Sequence, residues 1–168
     1  MSVTNQEFAA TSYTTSSAIT APRAAVISQP QDGASVRAFG NEILFKLTSD
    51  QSGGALCVGL ASVPAGNSVP MHVQDDEDEL FLIVDGTYRF WVNGSPTDVE
   101  SGALVFIPRG VPHRFEVLGD RTGRHWVVGT PGGFDRFFTE CAKVFDAAGA
   151  PDFARLAAIN AEYGNRFV

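Results

Sequence analysis

The sequence has 168 residues, enough for one domain with a sizeable core, and its 44% hydrophobic content with 13 phenylalanines indicates a globular protein. Twelve basic and 19 acidic residues give a net charge of −7. We predict neither a nucleic acid nor a membrane as partner, because phosphate binding needs clustered Lys and Arg, and the sequence contains no such patch.

Residues 1–22 are rich in Ser, Thr and Ala and lack sustained periodicity, so we predict a mobile N-terminal arm there. The segment lacks the basic and unbroken apolar regions of a secretory signal. No apolar run approaches the roughly 18 residues of a membrane span. Cys57 and Cys141 lie far apart and form no CxxC pair, so we expect reduced thiols. Together these features predict a cytoplasmic protein.

Residues 23–130 contain short β-type runs separated by Gly, Pro, Asn and Asp, a pattern typical of a sandwich or barrel. The clearest runs are EILFKLTS, ALCVGLASV, ELFLIVDGTYRFWVNG, ALVFIPRG, HRFEVLG and RHWVVGT. Two of these apolar stretches meet at Asp85-Gly86, a dipeptide that favours a tight hairpin.

Residues 131–168 change to helical spacing. Two apolar faces emerge, one in GFDRFFTECAKVF and one in PDFARLAAINAEYG, with Gly149 and Gly164 as helix stops. We therefore predict an all-β domain followed by two C-terminal α-helices that pack on the outside of the barrel.

The stretch MHVQDDEDELF, residues 71–81, holds the candidate site. His72 and Gln74 are two residues apart, so on a strand they point to the same face. Glu79 shares a face with Phe81 and Ile83, which turns its carboxylate toward the interior. The other four carboxylates are expected to form a solvated loop: Asp75, Asp76, Glu77 and Asp78.

Two spaced motifs carry a family resemblance. The first motif contains Gly66, His72, Gln74, Glu79 and Gly86, and the second contains Gly102, Pro108, Gly110 and His113. This spacing resembles the motifs of the cupin superfamily, G-x5-H-x-H-x4-E-x6-G and G-x5-P-x-G-x2-H, with Gln74 in place of the second histidine. The less regular asparagine that follows the second motif in the family is replaced by Val117. The resemblance implies a cupin double-stranded β-helix, a small jelly-roll barrel.

The resemblance also implies that His72, Gln74, Glu79 and His113 converge on one divalent transition metal, which would be Mn, Fe, Ni, Co, Cu or Zn. A glutamine oxygen is a weaker ligand than imidazole for late first-row metals, so Mn or Fe(II) would be least affected by its presence. Without Gln74, a set of two histidines and one carboxylate remains, as in non-haem Fe(II) sites. Alternatively, Gln74 marks a redesigned site whose polar groups bind an organic substrate directly.

Within the cupins, the sequence resembles single-domain quercetinase-like flavonol dioxygenases through DEDELFLIVDGTYRFWVNG, GTPGGFDRFF and AAINAEYG. This resemblance implies dioxygenation of a planar, enolisable aromatic compound, flavonol-like or polyketide-derived, by O2, with Glu79 as general base. Aromatic residues on the strands are predicted to line the substrate pocket: Tyr88, Phe90, Phe106, Phe115 and Trp126. His125 has no partner in the motifs, and we expect it to be structural.

Two other functions remain open. One is a cyclase, isomerase or dehydratase of secondary metabolism that uses His72, His113 and Glu79 as acid and base. The other is a non-catalytic cupin that binds a small molecule. Similar cupins are often dimers and exposed strand edges favour pairing, so we predict a homodimer.

Overall fold

A computed structural model describes residues 24–147 and 150–168, so the predicted arm at residues 1–22 lies outside the described residues. Within those ranges the chain forms eleven strands and two helices. They are β1 (Ala34–Ala38), β2 (Asn41–Leu47), β3 (Cys57–Val63), β4 (His72–Gln74), β5 (Asp78–Asp85), β6 (Thr87–Val92), β7 (Ser95–Val99), β8 (Leu104–Ile107), β9 (His113–Leu118), β10 (Gly123–Thr130), α1 (Phe134–Phe145), α2 (Phe153–Glu162) and β11 (Asn165–Phe167).

The strands form two antiparallel sheets that pack face to face as a jelly roll, which confirms the predicted all-β fold. The first sheet has the order β1-β2-β3-β10-β5-β8, and the second has the order β11-β4-β9-β6-β7. Burial alternates along β3, β9 and β10, since successive side chains of a strand point to opposite faces. The core lies between the sheets, where the Phe81 and Phe90 rings meet with centroids 5.3 Å apart.

The prediction of a tight hairpin at Asp85-Gly86 is wrong. Strand β5 pairs with β10 and β8, whereas β6 pairs with β7 and β9, so this turn carries the chain from one sheet to the other. The apolar faces of β5 and β6 thus meet across the core rather than side by side. The tight hairpin of this region joins β6 to β7 at Asn93-Gly94, whose φ angles of 50° and 80° suit a type I′ turn.

Both predicted helices are present, and their positions bear on the site. Helix α1 begins where the backbone N–H of Ser49 donates to the Asp135 carboxylate at 3.0 Å. Helix α2 begins at Asp152, whose side chain accepts from the Arg155 N–H at 3.0 Å. Helix α1 contacts β1, β3 and α2. Its phenylalanines Phe134, Phe137 and Phe138 belong to the core and line a cavity, so the helix does more than coat the outside of the barrel.

The chain continues after α2 into the short strand β11, which the sequence pattern does not predict. This strand pairs antiparallel with β4 and extends the second sheet at the site. Neither helix in the described part of the chain is long and apolar enough to cross a membrane. Cys57 and Cys141 are buried free thiols.

Candidate metal centre

The two motif histidines meet side by side in the second sheet. His72 on β4 is the register partner of His113 on β9, and the ring centroids are 4.3 Å apart. Each Nδ1 lies 2.9 Å from the backbone carbonyl two residues earlier, that of Pro70 or Val111. An Nδ1–H that donates to this carbonyl leaves the Nε2 atom to carry the chemistry, which is the usual way a protein orients a ligating imidazole.

Glu79 reaches the same point from β5 in the opposite sheet. Its buried Oε2 lies 2.9 Å from Nε2 of His113. Burial alone would raise the pKa of Glu79, but the hydrogen bond and charge of His113, with the charge of His72, bring it below its ordinary value. Burial likewise lowers the pKa of His113, and Glu79 outweighs burial and raises it. The two shifts therefore favour the imidazolium–carboxylate form of the pair.

The geometry of these three residues fits a single divalent ion. One potential ligand atom from each of His72, Glu79 and His113 lies within 4.8 Å of the others. Metal–ligand bonds of about 2.0–2.2 Å separate two ligands of one ion by at most about 4.4 Å, so a small inward movement suffices. Burial, followed by the neighbouring His113, lowers the pKa of His72, which favours the neutral imidazole that a metal requires.

Gln74 lies next to this cluster on β4 and is only 4% exposed. Its Oε1 is buried and has no hydrogen-bond partner among the residues that the structure describes. An unpaired buried acceptor costs about 1–3 kcal/mol, so this oxygen is available to a cation or to a donor group of a ligand. The structure thus brings together all four residues that the motifs identified.

The cluster borders a mostly apolar cavity. Seven phenylalanines from the strands, the β1–β2 turn and the C-terminal segment line it: Phe39, Phe81, Phe115, Phe134, Phe137, Phe138 and Phe167. Its polar lining consists of Asn41, His72, Gln74, Glu79, His125, Asn160 and Asn165. A few polar groups converging in an apolar cavity are typical of a small-molecule site.

Of the five aromatic residues predicted to line the pocket, Phe115 does so. Tyr88 and Phe90 are buried behind it, with ring centroids 5.8 Å and 5.5 Å from that of Phe115. The structure does not place Phe106 or Trp126 in the cavity. Phe106 is 54% exposed on the outer face of β8, and Trp126 points outward because its neighbour His125 points inward.

His125, expected to be purely structural, lines the cavity. It is 3% exposed, and its Nδ1 lies 3.0 Å from the Tyr88 hydroxyl. Burial lowers the pKa of His125 to about 4, so its ring is neutral at physiological pH. A signal was present in the sequence, because His125 and Val127 share the inward face of one strand.

The acidic run is less solvated than predicted. Glu77 is 8% exposed, and burial, then the charge of Glu79, raise its pKa to about 7. Its carboxylate lies at the start of α1, where the Phe134 N–H partly offsets this shift. Asp78 forms an ion pair with Arg109 at 3.0 Å. The run therefore connects the strands of the site to the C-terminal segment.

Besides the three phenylalanines of α1, three further residues of the C-terminal segment line the cavity, and the sequence analysis predicted none of the six: Asn160, Asn165 and Phe167. Asn165 and Phe167 lie on β11, which is too short for a periodic pattern. No local signal marks them as site residues.

Comparison with known proteins agrees with this architecture. Residues 59–129 match the family profile described as "Cupin domain". Over 85 residues, 50% of this chain, the sequence is 31% identical to the quercetin 2,3-dioxygenase of Bacillus subtilis (strain 168). The chain spans only 25% of that relative.

Solved structures share the fold at low sequence identity. A predicted oxalate decarboxylase from Thermotoga maritima aligns over 63% of this chain and 99% of its own, with a TM-score of 0.58 and 20% identity. The Streptomyces protein Pac13, a nucleoside dehydratase, aligns over 67% of this chain and 88% of its own, with a TM-score of 0.55 and 12% identity. Identities this low establish shared architecture alone. The chain therefore has the cupin fold, and its match to the cupin profile covers residues 59–129.

Proposed function

We propose that this protein is a metal-dependent dioxygenase of a planar, enolisable ring compound. The carrying observation is the cluster of His72, Glu79 and His113, whose potential ligand atoms lie within 4.8 Å of one another beside an apolar cavity. These three residues would hold a divalent transition metal, and Gln74 Oε1, buried without a partner in the described ranges, offers a fourth ligand. When bound, the ion supplies Lewis acidity that lowers the pKa of a substrate hydroxyl.

The protein's own residues then handle the proton and exclude water. Glu79 is ionised at neutral pH because its pKa is lowered despite burial, and it is the carboxylate of the cluster, so we assign it the role of general base. The carbonyls of Pro70 and Val111 hold the two imidazoles in place. The phenylalanine walls keep water from the reacting ring, which strengthens each electrostatic contact inside.

The cavity limits the substrate. Its volume is about 80 Å³, smaller than the cavity of about 150 Å³ that takes up benzene in an engineered protein core. A ring compound therefore enters only if lining side chains move. Phe167 lines the cavity and is exposed, so we assign this movement to its side chain. We propose that one enolisable ring passes inside and that the rest of the molecule stays at the mouth.

The test combines metal content with oxygen uptake. The protein is loaded separately with Mn, Fe, Co, Ni, Cu or Zn, and metal per chain and O2 consumption with quercetin are measured. We expect about one ion per chain and chelator-sensitive O2 uptake. Glu79→Gln is expected to lose activity, whereas Asp98→Asn, a change in a surface ion pair with Arg89, serves as the control. Absence of bound metal with every ion would contradict the proposal.

One observation favours a second candidate. His113 Nε2 and Glu79 Oε2 are in direct contact at 2.9 Å, the arrangement of a proton-transfer pair, so an acid–base dehydratase or isomerase could use them without a metal. Such an enzyme keeps its activity in excess chelator and consumes no O2. A protein that binds the ring compound without turnover would be a binding cupin.

A further inference from the structure

We infer that the C-terminal strand β11 supplies a substrate-recognition contact, in which Asn165 Oδ1 accepts a hydrogen bond from a hydroxyl or N–H group of the bound ring compound. This inference rests on the proposed function and deepens it. It names a donor group that the substrate carries in addition to the oxygen that reacts.

The sheet register places Asn165 at the site. Strand β11 pairs with β4 so that Asn165 lies opposite Gln74 and Phe167 lies opposite His72. Residues two apart on a strand share a face, and both Asn165 and Phe167 line the cavity. Arg166, between them, points to solvent and pairs with Asp75 at 3.1 Å.

The side-chain oxygen of Asn165 is buried without a use in the described part of the fold. Asn165 is 6% exposed, and its Oδ1 finds no hydrogen-bond partner in residues 24–147 and 150–168. The same holds for Oε1 of Gln74, its register partner. Buried polar atoms that serve only the fold are normally paired. Two unpaired acceptors on adjacent positions of one cavity therefore point to a ligand.

The chemistry of the two amides selects the kind of group. An amide oxygen accepts hydrogen bonds, so it needs an O–H or N–H donor and disfavours a carboxylate. Glu79, buried in the lining of the same cavity, adds to this preference against anions. The substrate class is thus an uncharged ring compound with a second hydroxyl or N–H group in addition to its enolisable hydroxyl.

The strand is held firmly enough to present this oxygen. The Asp75 N–H donates to the Gly164 carbonyl at 2.8 Å, and the Val168 N–H donates to the Met71 carbonyl at 3.1 Å, so β11 is fixed at both ends. Gly164, which precedes the strand, has a φ of 65°, and a Cβ atom there would clash with the Asp76 carboxylate. A contact group fixed before binding loses little freedom when the ligand arrives.

The test uses Asn165→Leu, which keeps the approximate shape and removes both the acceptor oxygen and the NH2 donor of the amide. Arg166→Ala, on the opposite face of β11, is the matched control. Binding of quercetin and of 3-hydroxyflavone, which keeps only the enolisable hydroxyl, is measured by ligand fluorescence on metal-loaded protein. We expect Asn165→Leu to weaken quercetin binding about tenfold and to leave 3-hydroxyflavone unchanged. Arg166→Ala should change neither. Equal quercetin affinity of Asn165→Leu and the wild type would overturn the inference.

Thermal unfolding provides a readout that does not depend on the ligand. If the oxygen is unpaired until a ligand binds, removing it stabilises the free protein, and the Tm of Asn165→Leu should rise by about 2–4 °C. A Tm below that of Arg166→Ala means that Asn165 supports the fold, and the inference fails. If the wild type binds neither flavonol, the proposed substrate class fails separately, and the direction of the Tm change still decides the role of Asn165.

Discussion

Replacing His125 with glutamine should make the protein more resistant to acid. His125 is buried in the cavity, where burial lowers its pKa to about 4, against about 6.5 for an exposed histidine. Between these two values the unfolded chain binds a proton that the folded protein does not. Stability contributed by the neutral ring is therefore complete above about pH 6.5 and is lost as the pH falls toward 4. Glutamine does not titrate and keeps a polar group near the Tyr88 hydroxyl.

The two pKa values set the size of the effect. The pKa of His125 is about 6.5 in the unfolded chain and about 4 in the folded protein. Proton linkage then lowers the free energy of unfolding by about 2 kcal/mol between pH 7.5 and pH 5, and by about 3 kcal/mol when the pH falls below both pKa values. Other titrating groups, including the His113–Glu79 pair, are common to both proteins. The difference between wild type and His125→Gln therefore isolates His125.

The assay is urea unfolding of metal-free protein at both pH values. Between pH 7.5 and pH 5, we expect the free energy of unfolding to fall by about 2 kcal/mol more in the wild type than in His125→Gln. Parallel losses in the two proteins would show that His125 titrates normally in the folded state, and the assignment of a neutral, buried ring in the cavity would be wrong.

Three further predictions concern the metal and the assembly. Gln74→His should retain more metal after dialysis against a chelator, and unchanged retention would place position 74 outside the coordination shell. Metal affinity should rise with pH, because His113 must lose its proton before it can bind the ion. Below the raised pKa of His113 the rise should be up to about tenfold per pH unit, and competition titrations at pH 6 and 7.5 test it. Phe106→Lys should disrupt the proposed homodimer, because Leu104 and Phe106 are exposed on the edge strand β8. Sedimentation of this variant should find a monomer, whereas a monomeric wild type would contradict the proposal.

Much of the barrel was predictable because alternation along a strand depends on local sequence. The shared face of Glu79, Phe81 and Ile83 correctly turned the carboxylate inward. Which strands pair is not a local property, and the meeting of His72 with His113 followed from the motif resemblance rather than from periodicity. The same limit explains the wrong hairpin, since Asp85-Gly86 and Asn93-Gly94 carry equivalent turn signals and only the sheets distinguish them.

The C-terminal segment was harder to predict for a different reason. Its helices have clear apolar faces, but an apolar face does not say which surface it will cover. Phe134 and Phe138 proved to line the cavity. Glu77 resembles its acidic neighbours in sequence, and its burial follows from the position of α1 against it. Interactions between distant segments decided each of these cases.

The residues proposed to carry the reaction and those proposed to select the substrate lie on different segments of the chain. The candidate ligands lie on β4, β5 and β9, whereas α1, α2 and β11 supply much of the wall that a substrate would touch. Gln74 lies where these two parts meet, with His72 beside it on its own strand and Asn165 opposite it on the next. A metal bound to Gln74 would leave the unpaired oxygen of Asn165 free for the substrate donor proposed above. An amide at position 74 can serve both, because its oxygen reaches either an ion or a donor, whereas an imidazole oriented by its backbone contact offers one nitrogen to the metal alone.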